Sequence, residues 1–595
     1  MNNYGLDIWG DDNFIIEDGL LKLNFSHKPS LLSIVKKIAK KNRSTPTILR
    51  FPHIVQNQLN KLYDTFNNSI NEYKYDGLFY AVFPLKVNQL PNNILPMIQN
   101  SKALKYGLEA GSKAELLLAM SYNNKKAPIT VNGFKDKDMI TMGFIAKHQG
   151  HNITLTIEGL NELQTIIKVH KELQLPCPNI GLRVKLHSSG SGTWAKSGGI
   201  DSKFGLNSTE ILEAFEILKN HNLLNLLTMI HFHIGSDMSS IAPLKKALKE
   251  SGHIYAQLIK MGARKLKNIN IGGGLAVENS SKQKQIQYSL KEFASDVVFT
   301  LKDIATKNGV NEPNIYTESG RFIVASSAVL IAPALELYSS EYSQKSLKLK
   351  KQNPPLIQEI NSLYEEITKT NAKEYMHDSL EHLESILTLF DLGYVDLIDR
   401  SNAEVLTHLI IKKAIKLVDA RNDIELKQLN NKIQEKYLLN FSIFQSLPDF
   451  WGIGQEFPIS PITHLNIKAT RSATIWDITC DSDGEIPFDT TNPLYLHDVD
   501  LDKEEYFIGF FLVGAYQDIL GMKHNLFGKP IQTNIVFKDD KMIVKDTIKS
   551  ETISKTFQEL NYKKDDIIST LLNKTNNKYL QDKLKDYLKR NSYLA

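Results

Sequence analysis

The side chains able to do chemistry fall in a few short motifs. Lys86 stands in FPLKVNQ, directly after the apolar run LFYAVF at 78 to 83. Apolar surroundings shift an amine toward its neutral, nucleophilic form, as a lysine that condenses with a carbonyl requires; the plain alternative is a surface lysine snorkelling to water. IGGGL supplies Gly272, Gly273 and Gly274, and TESGR supplies Glu318 and Arg321. Glycines let backbone N–H groups approach phosphate oxygens and a guanidinium adds a charge-assisted fork, although a glycine triplet also marks an ordinary turn. HFHIGSD carries His231, His233 and Ser236. On a strand the two histidines point the same way, to stack on a ring or to bind a metal, and no paired cysteine or HExxH-type helix completes a metal site. DITCDSDGE sets Cys480, Asp481 and Asp483 in a turn. Carboxylates there could receive a guanidinium or ammonium tail and the thiol could deliver a proton; inert packing and solvated acids are the alternative.

These motifs need a scaffold that brings distant segments together. From about Thr47 to Arg321, short apolar runs alternate with helical patterns, the signature of parallel βαβ units. Eight runs stand out: 78 to 83, 104 to 109, 128 to 132, 153 to 158, 180 to 186, 229 to 234, 269 to 273 and 314 to 319. They imply an α/β fold, a (β/α)8 TIM barrel, with its chemistry at the C-terminal strand ends. Lys86 then follows the first strand, His233 and Ser236 the sixth, the glycines the seventh, and Glu318 and Arg321 the eighth. Loops after strands seven and eight of such barrels often hold a phosphate, and a phosphorylated ligand beside a reactive lysine points to pyridoxal 5'-phosphate. Its ring accepts a carbanion's electrons when the pyridine nitrogen is protonated, so a carboxylate should face that nitrogen. Glu318 is the candidate, with a helix cap or ion pair as the alternative.

The expected organisation is an N-terminal segment, 1–46, packing on the β domain, followed by the barrel, 47–338. A helical insertion, 339–439, a β domain, 440–549, and C-terminal helices, 550–595, complete it. Phe322 to Leu337 reads as a long buried strand, too interrupted to span a membrane. Basic and acidic residues number 71 and 66, a net charge of +5 without a dominant block. That gives no electrostatic case for a nucleic-acid or membrane partner and leaves a small-molecule substrate. Two cysteines, Cys177 and Cys480, and an N-terminus without a secretory pattern indicate a reducing, cytoplasmic setting.

Taken together, FPLKVNQ, GLEAGSKAEL, SGSGTWAKSGGIDSKFGL, HFHIGSDM, IGGGL, TESGR, FQSLPDFWGIGQEFP, DITCDSDGE and FFLVGAYQDILGMKHNLFG strongly resemble the biosynthetic arginine decarboxylases. These belong to the alanine-racemase-like group of pyridoxal-phosphate enzymes, and the resemblance covers nearly the whole chain. It implies decarboxylation of L-arginine to agmatine in polyamine (putrescine and spermidine) biosynthesis. By position it implies that Lys86 forms the internal aldimine, His233 stacks on the ring and Glu318 pairs with the pyridine nitrogen. Ser236, the glycines around Gly273, Arg321 and Tyr516 would hold the phosphate. Cys480 and Asp481, with Asp483 beside them, would enter the active site of a neighbouring subunit, making a homo-oligomer with interfacial sites, dimer or tetramer. Magnesium is implied by the resemblance alone, without a ligand set. VDLIDRSNAEVLTHL departs from the family pattern, which bears on assembly more than on chemistry. Rival readings are a decarboxylase for ornithine or diaminopimelate, a racemase, and an inactive regulatory relative. Glu318 in place of an arginine argues against the racemase, and intact Lys86 and Cys480 argue against the inactive relative.

Overall fold

Eight parallel strands close into a barrel in the computed structural model: β1 Phe79–Pro84, β2 Tyr106–Ala110, β3 Pro128–Val131, β4 Asn152–Ile157, β5 Asn179–Arg183, β6 Leu227–His231, β7 Asn268–Asn270 and β8 Asn314–Thr317. The structure describes all residues except 1–3, 40–44, 101, 103–104, 188–201, 280–285, 339–342, 419–424, 426–433, 487–493 and 595. Most of SGSGTWAKSGGIDSKFGL therefore lies outside the described residues. The strands follow one another in sequence order around the barrel, and β7 and β8 close it against β6 and β1.

Local chemistry explains why these segments alternate. The strands are buried on both faces, as barrel strands covered by helices must be, hence their near-continuous apolar runs. Of the helices between them, four begin at side-chain caps: Ser112 before Lys113–Tyr122, Asp136 before Lys137–His148, Asn207 before Ser208–Asn220 and Ser289 before Leu290–Asn308. Several strands end earlier than their runs: β6 stops at His231 and β7 at Asn270. The apolar or glycine residues beyond them belong to the loops that build the site.

The expected strand from Phe322 to Leu337 is corrected at its start. Gly320–Val324 is helical, Ala325–Ser327 forms a 3-10 turn, and the strand β9 runs Ala328–Tyr338. The Ser327 hydroxyl donates to the Val324 carbonyl at 2.7 Å and closes the helix before β9 begins.

Two compact units account for the chain. The first comprises Met1–Pro333, Phe441–Asn466 and Phe507–Ala595. Within it, the first half of β9 pairs with the strands Thr47–Arg50 and Phe507–Phe510. The N-terminal hairpin Phe14–Glu17 and Leu20–Leu23 is tied to the segment near Ile462 by backbone bonds from Leu21 and Leu465. FQSLPDFWGIGQ forms two short helices, Ile443–Ser446 and Pro448–Ile453. The second unit, Ala334–Asn440 with Ile467–Tyr506, holds the helices Pro355–Glu366, Ala372–Asp391 and Leu397–Leu417, packed through Ile357, Ile360, Met376, Leu406 and Ile410. In the same unit the strands Glu435–Leu439 and Arg471–Trp476 run parallel.

Candidate active site

At the C-terminal rim of the barrel lies an open cleft of about 440 Å³, lined entirely by residues of the first unit. It brings together Lys86, His233, Ser236, Gly273, Gly274, Glu318, Arg321 and Tyr516, all singled out from the sequence. Gly272 stands one bond behind, its carbonyl accepting the Glu318 N–H at 2.7 Å. Cys480, Asp481 and Asp483 belong to the second unit and are not among the lining residues; there Asp481 accepts the Asp483 N–H at 3.0 Å and opens the turn Ser482–Gly484.

Lys86 sits on a 3-10 turn, Leu85–Val87, that follows β1 directly. The turn is pinned from one side. Tyr516 N–H donates to the Val87 carbonyl at 2.8 Å, and the Asn88 amide donates to the Gly514 carbonyl at 2.9 Å and to Asp518 Oδ2 at 3.1 Å. Asp518 in turn takes the buried Arg50 guanidinium. Lys86 is exposed to the open cleft. The carboxylate of Glu109, on β2, raises the amine's pKa most; burial opposes it and Glu318 adds to it. The expectation of a neutral amine is thus corrected: adjacent carboxylates outweigh desolvation, and the resting amine is an ammonium.

Glu109 escaped the sequence reading. It is 1% exposed, its Oε2 has no hydrogen-bond partner among the described residues, and burial together with Glu318 pushes its carboxyl above the usual range against the pull of Lys86. A lone acid in the otherwise apolar strand YGLEA, one residue from its mouth end, was the available signal.

Glu318, just past β8, accepts two amide hydrogen bonds on one oxygen: Asn132 Nδ2 at 2.8 Å and Asn270 Nδ2 at 2.7 Å reach Oε1. The glycine loop beside it needs its residue type. Gly272 has φ 68°, and a Cβ there would sit 2.6 Å from the Phe232 carbonyl. Gly273 N–H donates to His233 Nδ1 at 3.2 Å, so that nitrogen is an acceptor. Burial, then Lys86 and Arg183, bring His233 down to about 3, leaving a neutral imidazole on the cleft wall. His231, the last residue of β6, is buried and held well below the ordinary histidine value, mainly by burial.

Arg321 opens the helix after β8 with its guanidinium 5.1 Å from the Tyr516 ring centroid and 3.6 Å from Asp449. Burial raises the Tyr516 phenol, which keeps it a hydroxyl donor. Asp449 is held by Gln517, whose amide donates to it at 2.9 Å, so the PDFWGI helix backs the arginine.

These groups fit a phosphorylated pyridine ring. Of the glycine turn, the N–H groups of Gly272 and Gly273 are taken by Asn270 and His233, and the Gly274 N–H, the hydroxyls of Ser236 and Tyr516, and Arg321 suit a phosphate; Glu318 retains Oε2 for a ring nitrogen, and a primary amine stands in the same cleft. Magnesium has no such fit: among the described residues no three histidine, cysteine or carboxylate side chains gather as a metal site. Among those residues no helix is long and apolar enough to cross a membrane.

Comparison with known proteins shows the family. Residues 57–325 match the family described as pyridoxal-dependent decarboxylase, pyridoxal binding domain, and residues 350–430 match the arginine decarboxylase helical bundle domain. The biosynthetic arginine decarboxylase of Phocaeicola vulgatus is 36% identical over 584 residues, covering 96% of this chain and 92% of the relative. That of Deinococcus radiodurans is 39% identical over 524 residues, covering 86% and 78%. The crystal structure of the biosynthetic arginine decarboxylase SpeA from Campylobacter jejuni superposes with a TM-score of 0.92 at 53% identity, covering 100% of both chains. Diaminopimelate decarboxylase from M. jannaschii, at 18% identity and a TM-score of 0.63, shares the fold.

Proposed function

The chain belongs to the biosynthetic arginine decarboxylases, and on that premise we propose that it removes the α-carboxylate of L-arginine to give agmatine and CO2 for polyamine synthesis. The observation that carries this reading is the convergence of Lys86, Glu318 and Arg321 on one cleft. Bound there, pyridoxal 5'-phosphate supplies the electron sink for the carbanion left when CO2 departs.

The protein's own groups would divide the remaining work. Arg321, Ser236, Tyr516 and the Gly274 N–H would hold the phosphate and thereby fix the ring's position. Glu318 keeps a proton at the ring nitrogen through Oε2. Neutral His233 covers one ring face without adding positive charge. Lys86 is the anchoring amine, and because it rests as an ammonium, with Glu109 as its strongest electrostatic neighbour, it must lose a proton first.

The guanidinium end of the substrate and the returning proton are assigned to Asp481, Asp483 and Cys480 of a second copy of the chain, so that a dimer is the smallest active form. The cytoplasm is the proposed setting, in keeping with a chain that carries two cysteines, Cys177 and Cys480, and no disulfide among the described residues.

The test is product identification. The full chain with added pyridoxal phosphate is incubated separately with arginine, ornithine and diaminopimelate, and CO2 and amine are measured. Agmatine from arginine, with little turnover of the other two, is the expected result. Equal or faster release from ornithine refutes the substrate assignment, and a colourless protein that releases no CO2 refutes the enzyme.

A further inference from the structure

We propose that Asn132 and Asn270 are positioning residues for Glu318: they grip Oε1 from opposite walls of the barrel and so present Oε2 to the cofactor's ring nitrogen. The inference rests on the reading of Glu318 as the acid facing that nitrogen.

Asn132 directly follows β3, and Asn270 is the last residue of β7. In a closed ring of eight strands in sequence order these stand four apart, on opposite sides. Both are buried, at 7% and 0% exposure, and both side-chain nitrogens reach the same carboxylate oxygen, at 2.8 and 2.7 Å. An amide nitrogen only donates, so Oε1 must accept on both bonds and has no room for a proton of its own. Any proton shared with the ring is thereby confined to Oε2, which receives no hydrogen bond among the described residues. Asn270 does a second thing: its Oδ1 accepts the Gly272 N–H at 2.9 Å. That bond fixes which end of the amide faces Glu318, and it ties the acid to the glycine turn that would hold the phosphate. One side chain therefore sets the spacing between the two ends of the ring.

The charged and titratable groups around Glu318 come from four other places. His231 on β6 lies 3.8 Å from Oε1, Lys86 follows β1, Glu109 is on β2, and Arg183 ends β5 and acts on Lys86 and Glu109. None of them donates a hydrogen bond to Glu318, so the two asparagines alone orient it among the described residues.

The experiment measures binding, not turnover. The full chain freed of cofactor is titrated with pyridoxal phosphate and with its analogue in which carbon replaces the ring nitrogen, between pH 6 and 9. Glu318→Gln and Asn132→Ala should each weaken pyridoxal phosphate by about tenfold or more, the loss of a charge-assisted contact, while changing the analogue by no more than about twofold. Asn270→Asp keeps the acceptor for Gly272 N–H but puts a second carboxylate where the donor stood. Its affinity for pyridoxal phosphate should be poor at pH 8 and recover as pH falls and the two acids share a proton.

If Asn132→Ala weakens both ligands equally while Glu318→Gln discriminates between them, the asparagine merely supports the barrel and the inference fails with the Glu318 reading intact. If Glu318→Gln itself does not discriminate, the Glu318 reading fails and takes the inference with it. Should Asn132→Ala not fold, Asn270→Asp decides alone, and an affinity unchanged by the substitution or flat with pH overturns the proposal.

Discussion

Replacing Asp518 by alanine removes the partner of a buried cation and loosens the turn that carries Lys86. The Arg50 and Asp518 side chains are 3% and 7% exposed, and Arg50 Nε already lacks a hydrogen-bond partner among the described residues. The aspartate's other oxygen takes the Asn88 amide, two residues from Lys86. Truncating one member of a buried ion pair costs about 3 to 5 kcal/mol, because the remaining charge stays desolvated and unpaired. In Arg50→Met the aspartate is itself the unpaired buried charge, so adding Asp518→Ala should cost little or recover stability, the relief offset by about 1 kcal/mol for the lost Asn88 contact. The assay is urea unfolding of wild type, both single variants and the double variant. In a chain of two units the coupling between substitutions is safer than any absolute stability. Titration of each variant with pyridoxal phosphate should show weaker binding wherever Asn88 has lost its acceptor. An Asp518→Ala loss below about 1 kcal/mol, or equal losses in both backgrounds, refutes the idea that this pair secures the catalytic turn.

Other substitutions probe the site's electrostatics and chemistry. Lys86→Ala should abolish turnover and the visible band of lysine-bound cofactor; an active, coloured variant removes Lys86 from the mechanism. Glu109's folded pKa lies above its unfolded value of 4.5, so any stability it adds is present below that value and lost as pH rises through the folded one. Glu109→Gln should therefore raise the urea midpoint at pH 8 and lose that advantage below pH 4.5, and a destabilised variant at pH 8 contradicts the assignment. His233 shifts the other way, from 6.5 to about 3, so the unfolded chain takes up a proton first and stability falls as pH drops between those values. At pH 5 the loss should be about 1 to 2 kcal/mol, and His233→Gln should flatten that limb of the stability profile. Cys480→Ala should slow product formation by about 100-fold or divert the proton, the scale of a positioned acid; an unchanged rate with unchanged products reduces the residue to packing.

The barrel was legible because its two periods differ: strands buried on both faces give short runs rich in apolar and β-branched residues, and several of the helices between them announce themselves by Ser, Asp and Asn caps. Strand ends were harder to place. HFHI and INIGG continue apolar past β6 and β7 because their loops are themselves buried under the site, so hydropathy alone cannot mark where pairing stops. Lys86, His233, Glu318 and Arg321 were reachable by the rule that barrel chemistry sits at C-terminal strand ends. The same rule points to Glu109, Asn132 and Asn270, each at or beside a strand terminus, yet an acid inside GLEAGSKAEL and two asparagines carry no motif of their own. Asp449 and Asp518 were out of reach, since their partners Arg321 and Arg50 lie more than a hundred residues away in the chain. The protonation of Lys86 was misjudged for the same reason: apolar flanks are visible in the sequence, whereas the carboxylates facing the amine come from other strands.

All eight strands run the same way, so the barrel groups read as functional, Lys86, His233, Glu318 and Arg321, emerge at one rim. Gly150 and Gly262 stand in the turns that lead into β4 and β7 at the far rim, with nothing among the described residues within 4 Å of where a Cβ would sit, although their φ values of 87° and 121° favour glycine itself. Grafted peptides, reporter fluorophores or new chain termini placed there should leave the reaction alone, which makes the barrel a two-faced platform: one end closed to tinkering, the other available for engineering and for evolutionary drift.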